Sequence, residues 1–234
     1  FINEWIDHMN SVSPKKLFFM GEYWNDQNAE SLKKYIEVSQ GRMQLIDAPL
    51  HHNFYRLSQQ GRDYDISKIF ENTLISLHPE LTISFVSNHD SQPLQLLEKP
   101  IAEWCNPLAY AIILLREQGI PCIFYPDLYG AEYTDKGKDG NDHHIVLKKV
   151  NELPALLLAR KFLAYGRQRD YLDHKTTLGW TREGIGEKRN SGCAVLLSGG
   201  DDGWKYMELG KKHARQVFVD CLGKIEREIV LDKN

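Results

Sequence analysis

Residues 106–127, NPLAYAIILLREQGIPCIFYPD, hold one copy of the pattern that decides the fold. Asn106 followed by Pro107 reads as a helix start. An asparagine side chain can cap the unpaired N–H groups of a first turn, and proline suits the first helical position. The apolar run Leu108 to Leu115 carries the helix towards Gly119, a residue type suited to the left-handed position after a helix end. Ile120 to Tyr125 is a short apolar stretch of strand character, and Asp127 lies just past it. The unit is therefore helix, glycine, buried strand, carboxylate.

The same unit recurs upstream. Ile2, Trp5, Ile6 and Met9 fall at helical spacing from the first residue, as in a chain that opens inside a helix. Leu17 to Met20 is a buried strand, followed by a helix with Leu32, Tyr35 and Ile36 on one face and Gly41 beyond its end. Met43 to Ile46 is a second strand. Asp65 then precedes a helix carrying Ile66, Ile69, Phe70 and Leu74, and Thr82 to Val86 is a β-branched and aromatic third strand. After the fourth strand comes a polar loop, then a helix from Asn151 that stops at Gly166.

Strands alternating with helices make parallel strands with helical crossovers, an α/β arrangement. Continuous apolar runs predict burial on both faces. Residues 1–165 are thus either an open doubly wound sheet or half of an eight-unit barrel, which needs about 250 residues. Beyond residue 165 the pattern changes. Leu178 to Arg182, Cys193 to Leu197, Trp204 to Leu209, Gln216 to Val219 and Glu228 to Leu231 are short runs split by turn residues, with a hairpin-type turn over 199–203. Residues 166–234 are read as an all-β antiparallel domain of sandwich type, cut short just after its last strand-like run.

Composition narrows the function. The 234 residues are 42% hydrophobic and 26% charged, as in ordinary globular proteins, and the net charge is only -3. Lysine and arginine form no basic run, which argues against nucleic acid and leaves a neutral ligand compatible. The apolar stretch near Leu108 is far short of the roughly 20 residues of a bilayer span. The start shows no signal-peptide pattern. Cys105, Cys122, Cys193 and Cys221 have no CxxC spacing and read as buried free thiols of a reducing compartment.

Active residues of parallel βα folds sit past the C-terminal ends of the strands. There stand Glu22, Asp47, Asp90 and Asp127, one per strand. Carboxylates with aromatic neighbours such as Trp24 suit glycoside hydrolysis: one protonates the leaving oxygen and another supports an oxocarbenium-like centre. Position alone does not say which act and which cap helices. The pairs His51-His52 and His143-His144 are sequence neighbours whose side chains diverge, so neither reads as a metal site. Asp135 to Asp142 has the flavour of a calcium loop without its ligand pattern and is read as a polar surface loop. There is no GxGxxG, P-loop or Gly-x-Ser-x-Gly.

At these residues the chain resembles the α-amylase family of retaining glycoside hydrolases, above all the liquefying and cytoplasmic bacterial α-amylases. The resemblance rests on Gly-Glu-Tyr-Trp at 21–24, Ile-Asp-Ala-Pro-Leu at 46–50, Gly-Arg-Asp-Tyr-Asp at 61–65 and Phe-Val-Ser-Asn-His-Asp-Ser-Gln-Pro-Leu-Gln at 85–95. It continues through the helix from Asn106, Phe-Tyr-Pro-Asp-Leu-Tyr-Gly at 124–130 and Gly-Trp-Thr-Arg-Glu-Gly at 179–184, all in the family's order. It implies the C-terminal half of a (β/α)8 TIM barrel followed by a β domain. It implies that Glu22 is the general acid/base, Asp90 the carboxylate that binds sugar hydroxyls and stabilises the transition state, His89 a hydrogen-bond partner of the sugar, and Trp24 an aromatic lining the subsites beyond the scissile bond. Asp47 and Asp127 fall where the family has no catalytic duty. The family's nucleophile lies in an Arg-x-Asp-Ala motif, which this sequence lacks. The expectation is a fragment whose barrel start, nucleophile and most calcium ligands lie upstream, inactive alone and prone to pair with itself. The implied partner is an α-glucan such as starch, glycogen or maltodextrin, with no nucleic acid and no membrane, in the cytoplasm.

Overall fold

The computed structural model describes residues 1–200 and 202–232. Helix α1 (Ile2–Val12) leads into β1 (Met20–Gly21), α2 (Ala29–Val38), β2 (Gln44–Ile46), α3 (Ala48–Gln60), α4 (Leu74–Leu77) and β3 (Thr82–Phe85). Then come α5 (Asn106–Leu115), β4 (Ile120–Cys122) and α6 (Tyr125–Tyr129). Strands β1 to β4 form one parallel sheet in sequential order. A doubly wound sheet reverses its order at a switch point, whereas a barrel keeps it. The sequential order therefore favours the barrel alternative.

Two parts of this region differ from the sequence reading. The main crossover helix after β2 is α3, which starts directly at Ala48 with Asp47 as its capping residue and Pro49 in its first turn. The stretch from Asp65 supplies only a 3-10 turn, Ile66–Lys68, and the short α4. Proline and a capping aspartate make 47–50 as good a helix start as Asn106-Pro107. Asn106 itself is the first helical residue and does not cap. Burial on both faces holds for the central strand β3 and nearly so for β2, but the outer strands β1 and β4 are partly exposed.

The expected polar loop is a hairpin, β5 (Ala131–Lys136) paired antiparallel with β6 (Asp142–Leu147). Helix α7 (Leu153–Phe162) follows. Strands β7 (Gln168–Tyr171), β8 (Thr177–Arg182) and β9 (Cys193–Ser198) form an antiparallel meander, and β10 (Val217–Phe218) pairs with β11 (Ile229–Val230). The expected strand over 204–209 makes no ladder. Its side chains alternate in exposure, but the Glu208 carbonyl accepts from the Thr181 hydroxyl and its N–H donates to the Tyr171 oxygen, so side chains take the place of a partner strand there. The turn over 199–203 and the chain end include residues outside the described set.

One core joins the two regions. Leu57, Ile66 and Ile112 from the helical part lie in one cluster with Leu178, Trp180 and Leu197 of the meander. Each such side chain contributes about 1.5–3 kcal/mol on burial. Trp180 is fully buried and its indole N–H donates to the Leu115 carbonyl at 3.3 Å, at the end of α5. Of the four cysteines only Cys105 is buried, while Cys122 and Cys221 are exposed. Cys122 sits on an outer strand and Cys221 in a turn, so apolar neighbours in sequence did not bring burial.

Candidate active-site rim

Because β1 to β4 run parallel, their C-terminal ends share one rim, and the four carboxylates stand on it. The structure divides them into two pairs. Asp47 is fully buried and accepts hydrogen bonds from the N–H groups of Leu50 (3.1 Å), Leu74 (3.0 Å) and Ile75 (2.8 Å). It caps α3 and α4 at once. Burial raises its pKa to about 6 against the opposing pull of those bonds. Asp127 is buried too and accepts from the Tyr110 hydroxyl; burial raises its pKa, while the Tyr110 and Ser87 hydroxyls act in the other direction. Both side chains are committed to holding the fold.

Glu22 and Asp90 are the accessible pair. Glu22 follows β1 directly and is exposed. Asp90 is partly exposed in the loop after β3, with His89 beside it, Nε2 to Oδ1 3.6 Å. That loop is shaped by Asn88, whose Oδ1 accepts from the N–H groups of Asp90 (3.2 Å) and Ser91 (2.8 Å). Strands β1 and β3 flank β2, so the two carboxylates rise from strands about 10 Å apart. Trp24 is half-buried. Its ring meets those of Phe85 at 6.0 Å and His51 at 5.9 Å, so it lies over the end of β3 and offers its remaining surface to the rim.

Two arrangements here escaped sequence reasoning. His51 is wholly buried and stacked on Phe85 at 5.1 Å, and its Nδ1 lies 2.8 Å from the Val86 carbonyl, to which it donates. Burial pushes its pKa down to about 4, so it is neutral, and Nε2 is buried without a partner among the described residues. His52 points the other way. It lies 3.3 Å from the Lys99 ammonium, which also pairs with Asp26. This trio ties the loop after β1, which carries Trp24, to the loop after β3, which carries Asp90. Asp26 and Lys99 are 73 positions apart, so no local spacing could reveal them.

The other histidine pair also diverges. On the hairpin, His143 faces Asp139 at 3.0 Å and His144 faces Glu132 at 2.9 Å. The hydrogen bonds from His143 and Asn141 hold the Asp139 carboxyl down to about 2. Among the described residues no group of three or more His, Cys, Asp and Glu could hold a metal ion. No helix there is long and apolar enough to cross a membrane.

No family model matches the chain. It is 44% identical over its whole length to the cytoplasmic α-amylase of Escherichia coli (strain K12), covering 47% of that protein. It is 41% identical over its whole length to an α-amylase of Geobacillus stearothermophilus, covering 41% of it. With an α-amylase of Bacillus licheniformis the identity is 38% over 99% of the chain and 44% of the relative. Among solved structures, a cyclomaltodextrin glucanotransferase with a three-domain ABC distribution superposes with a TM-score of 0.57 at 18% identity, over 84% of this chain and 41% of that one. A cyclic α-maltosyl-(1→6)-maltose hydrolase from Arthrobacter globiformis gives 0.52 at 16%, over 99% and 51%. At such identities these two speak for the fold alone. The chain spans a little under half the length of the α-amylases it matches. The chain is thus similar, at 38–44% identity along essentially its whole length, to part of three proteins named α-amylase.

Proposed function

We propose that this chain is the C-terminal half of a (β/α)8 barrel, residues 1–165, with an appended antiparallel domain, and that it contributes two of three catalytic carboxylates to an enzyme that hydrolyses internal α-1,4-glucosidic bonds with retention. The observation that carries this reading is the division of the rim. Asp47 and Asp127 are spent on backbone and tyrosine hydrogen bonds, while Glu22 and Asp90 remain accessible on the flanking strands.

Glu22 donates a proton to the departing glycosidic oxygen and then takes one from the attacking water. Asp90 holds sugar hydroxyls and stabilises the positive charge that develops at the anomeric carbon, and His89 bonds a neighbouring hydroxyl. Trp24 stacks on the sugar beyond the scissile bond. Retention needs a nucleophilic carboxylate about 5–5.5 Å from the acid. None of the four rim carboxylates of this chain is assigned that duty, so the nucleophile is proposed to lie on a segment outside these residues. Any calcium of the whole protein is likewise proposed to be held mostly by ligands outside these residues. The substrate is an α-glucan such as starch, glycogen or a maltodextrin. The proposed compartment is the cytoplasm, in line with the name of the Escherichia coli relative and four free thiols.

The test is Glu22→Gln in a protein that joins this chain to the nucleophile-bearing segment of its α-amylase relative. Hydrolysis of a maltooligosaccharide should fall by roughly 10³-fold or more. A rate within a few-fold of the unaltered protein overturns the assignment.

A further inference from the structure

Residues 203–209 run extended along β8 and carry two aromatic side chains on their outer face. Trp204 is 75% exposed and Tyr206 88%, with ring centroids 5.2 Å apart at 77°. A folded surface ordinarily covers such rings, because leaving them in water forgoes the gain of burial.

The segment beneath them is fixed. At Gly203 a Cβ would fall 2.2 Å from the Thr177 hydroxyl, and at Gly179 one would meet the Met207 sulfur at 2.6 Å, so two glycines let the segment dock tightly. Glu208 is pinned at both backbone groups, by Thr181 and Tyr171, each at 2.7 Å. Lys205, between the two rings, turns inward: its side chain is 8% exposed and pairs with Asp173. The rings thus border a groove of about 510 Å³, walled by Tyr171, Asp173, His174, Thr176, Thr177 and Asp202. That volume is in the range of small-molecule sites.

We propose that this groove is a second α-glucan-binding site, sharing no residue with the rim that holds Glu22 and Asp90. Glucose rings stack their C–H faces on Trp204 and Tyr206, and the neighbouring hydroxyl, imidazole and carboxylate groups exchange hydrogen bonds with sugar hydroxyls. The single lysine of the groove pairs with Asp173, and Asp202 adds a second carboxylate to the lining, which disfavours an anion and leaves a neutral, hydroxyl-rich ligand compatible. A two-ring patch is also far smaller than the roughly 800 Å² per partner of a stable protein interface, which disfavours a second copy of this chain as occupant. The identification of the ligand as an α-glucan rests on the function proposed above.

The experiment is adsorption of the chain to insoluble starch and competition by maltoheptaose, for the unaltered chain, W204A/Y206A, W204F/Y206F and W24A. Both positions are exposed, so equal urea midpoints confirm that the variants fold. W204A/Y206A is expected to weaken adsorption by about tenfold or more and W204F/Y206F to keep most of it, while W24A, which removes a stacking ring of the rim, is expected to lower it by less than W204A/Y206A does. Equal adsorption by W204A/Y206A and the unaltered chain overturns the site. If W24A alone abolishes adsorption, the groove fails while the α-glucan reading of the rim stands. Absence of adsorption by the unaltered chain also overturns the groove, and the Glu22→Gln hydrolysis test then decides the rim independently.

Discussion

Asp47 and His51 lie one helical turn apart on α3, both wholly buried, and they titrate to opposite effect. Folding raises the Asp47 pKa from 3.8 to about 6, so the native state binds that proton more tightly than the unfolded chain. Its contribution is greatest below pH 3.8 and falls as pH rises to about 6, by on the order of 3 kcal/mol. Folding lowers the His51 pKa from 6.5 to about 4, so its contribution is complete above pH 6.5 and is lost as pH falls to about 4. Between about pH 4 and 6 the two slopes oppose each other. Asp47→Asn removes the first, so urea-derived stability should rise more steeply with pH across that window than in the unaltered chain. An unchanged slope would contradict the burial assigned to Asp47. The Asp-Ala-Pro start marked 47–50 as a helix opening in principle. The second helix that Asp47 caps begins 27 residues further on, and only the fold brings it there.

At the scale of elements, Arg116 joins the end of α5 to β7. Its guanidinium donates twice to the Asp170 carboxylate, both at 2.8 Å, and stacks over Phe70 at 4.4 Å while the residue is 6% exposed. Arg116→Met leaves Asp170, a third exposed, with only the Gln168 amide, at 2.9 Å, as partner among the described residues and should cost about 1–2 kcal/mol in urea unfolding, with Arg116→Lys recovering only part because it lacks the planar fork. A loss under about 0.5 kcal/mol would mean the pair is a surface contact of little weight. The alternation of strands and helices was legible from hydrophobic runs and glycines because each element is local, although the crossover helix after β2 was read at Asp65 and lies at Ala48–Gln60. Strand status at 204–209 was not. Alternation of exposure is present there, but laddering depends on a neighbour that sequence period does not supply. The hairpin of β5 and β6 was missed for the converse reason: both strands are largely exposed and polar, so they carry no apolar period.

At the scale of the whole molecule, the parallel sheet has two open edges among the described residues. Strands β1 and β4 each have one neighbour, and Phe18, Met20 and Ile120 beside them are 60%, 58% and 40% exposed. Unpaired backbone next to exposed apolar side chains favours pairing with another chain. Light scattering of the isolated chain should therefore show oligomers that grow with concentration, and a monomer across that range would count against it. The rim was the most legible feature, since Glu22 and Asp47 directly follow β1 and β2, and Asp90 and Asp127 lie five residues past β3 and β4. The sequence could not say which carboxylates are spent, because that depends on Tyr110 and on backbone N–H groups brought in by folding. The central claim is that Glu22 and Asp90 are two of three catalytic carboxylates and that the third lies outside these residues. Its most direct measurement is hydrolysis of an end-blocked maltoheptaoside by this chain alone. The account predicts no product above the buffer blank. Turnover that scales with protein concentration would contradict it and would assign the nucleophile to a carboxylate within the chain.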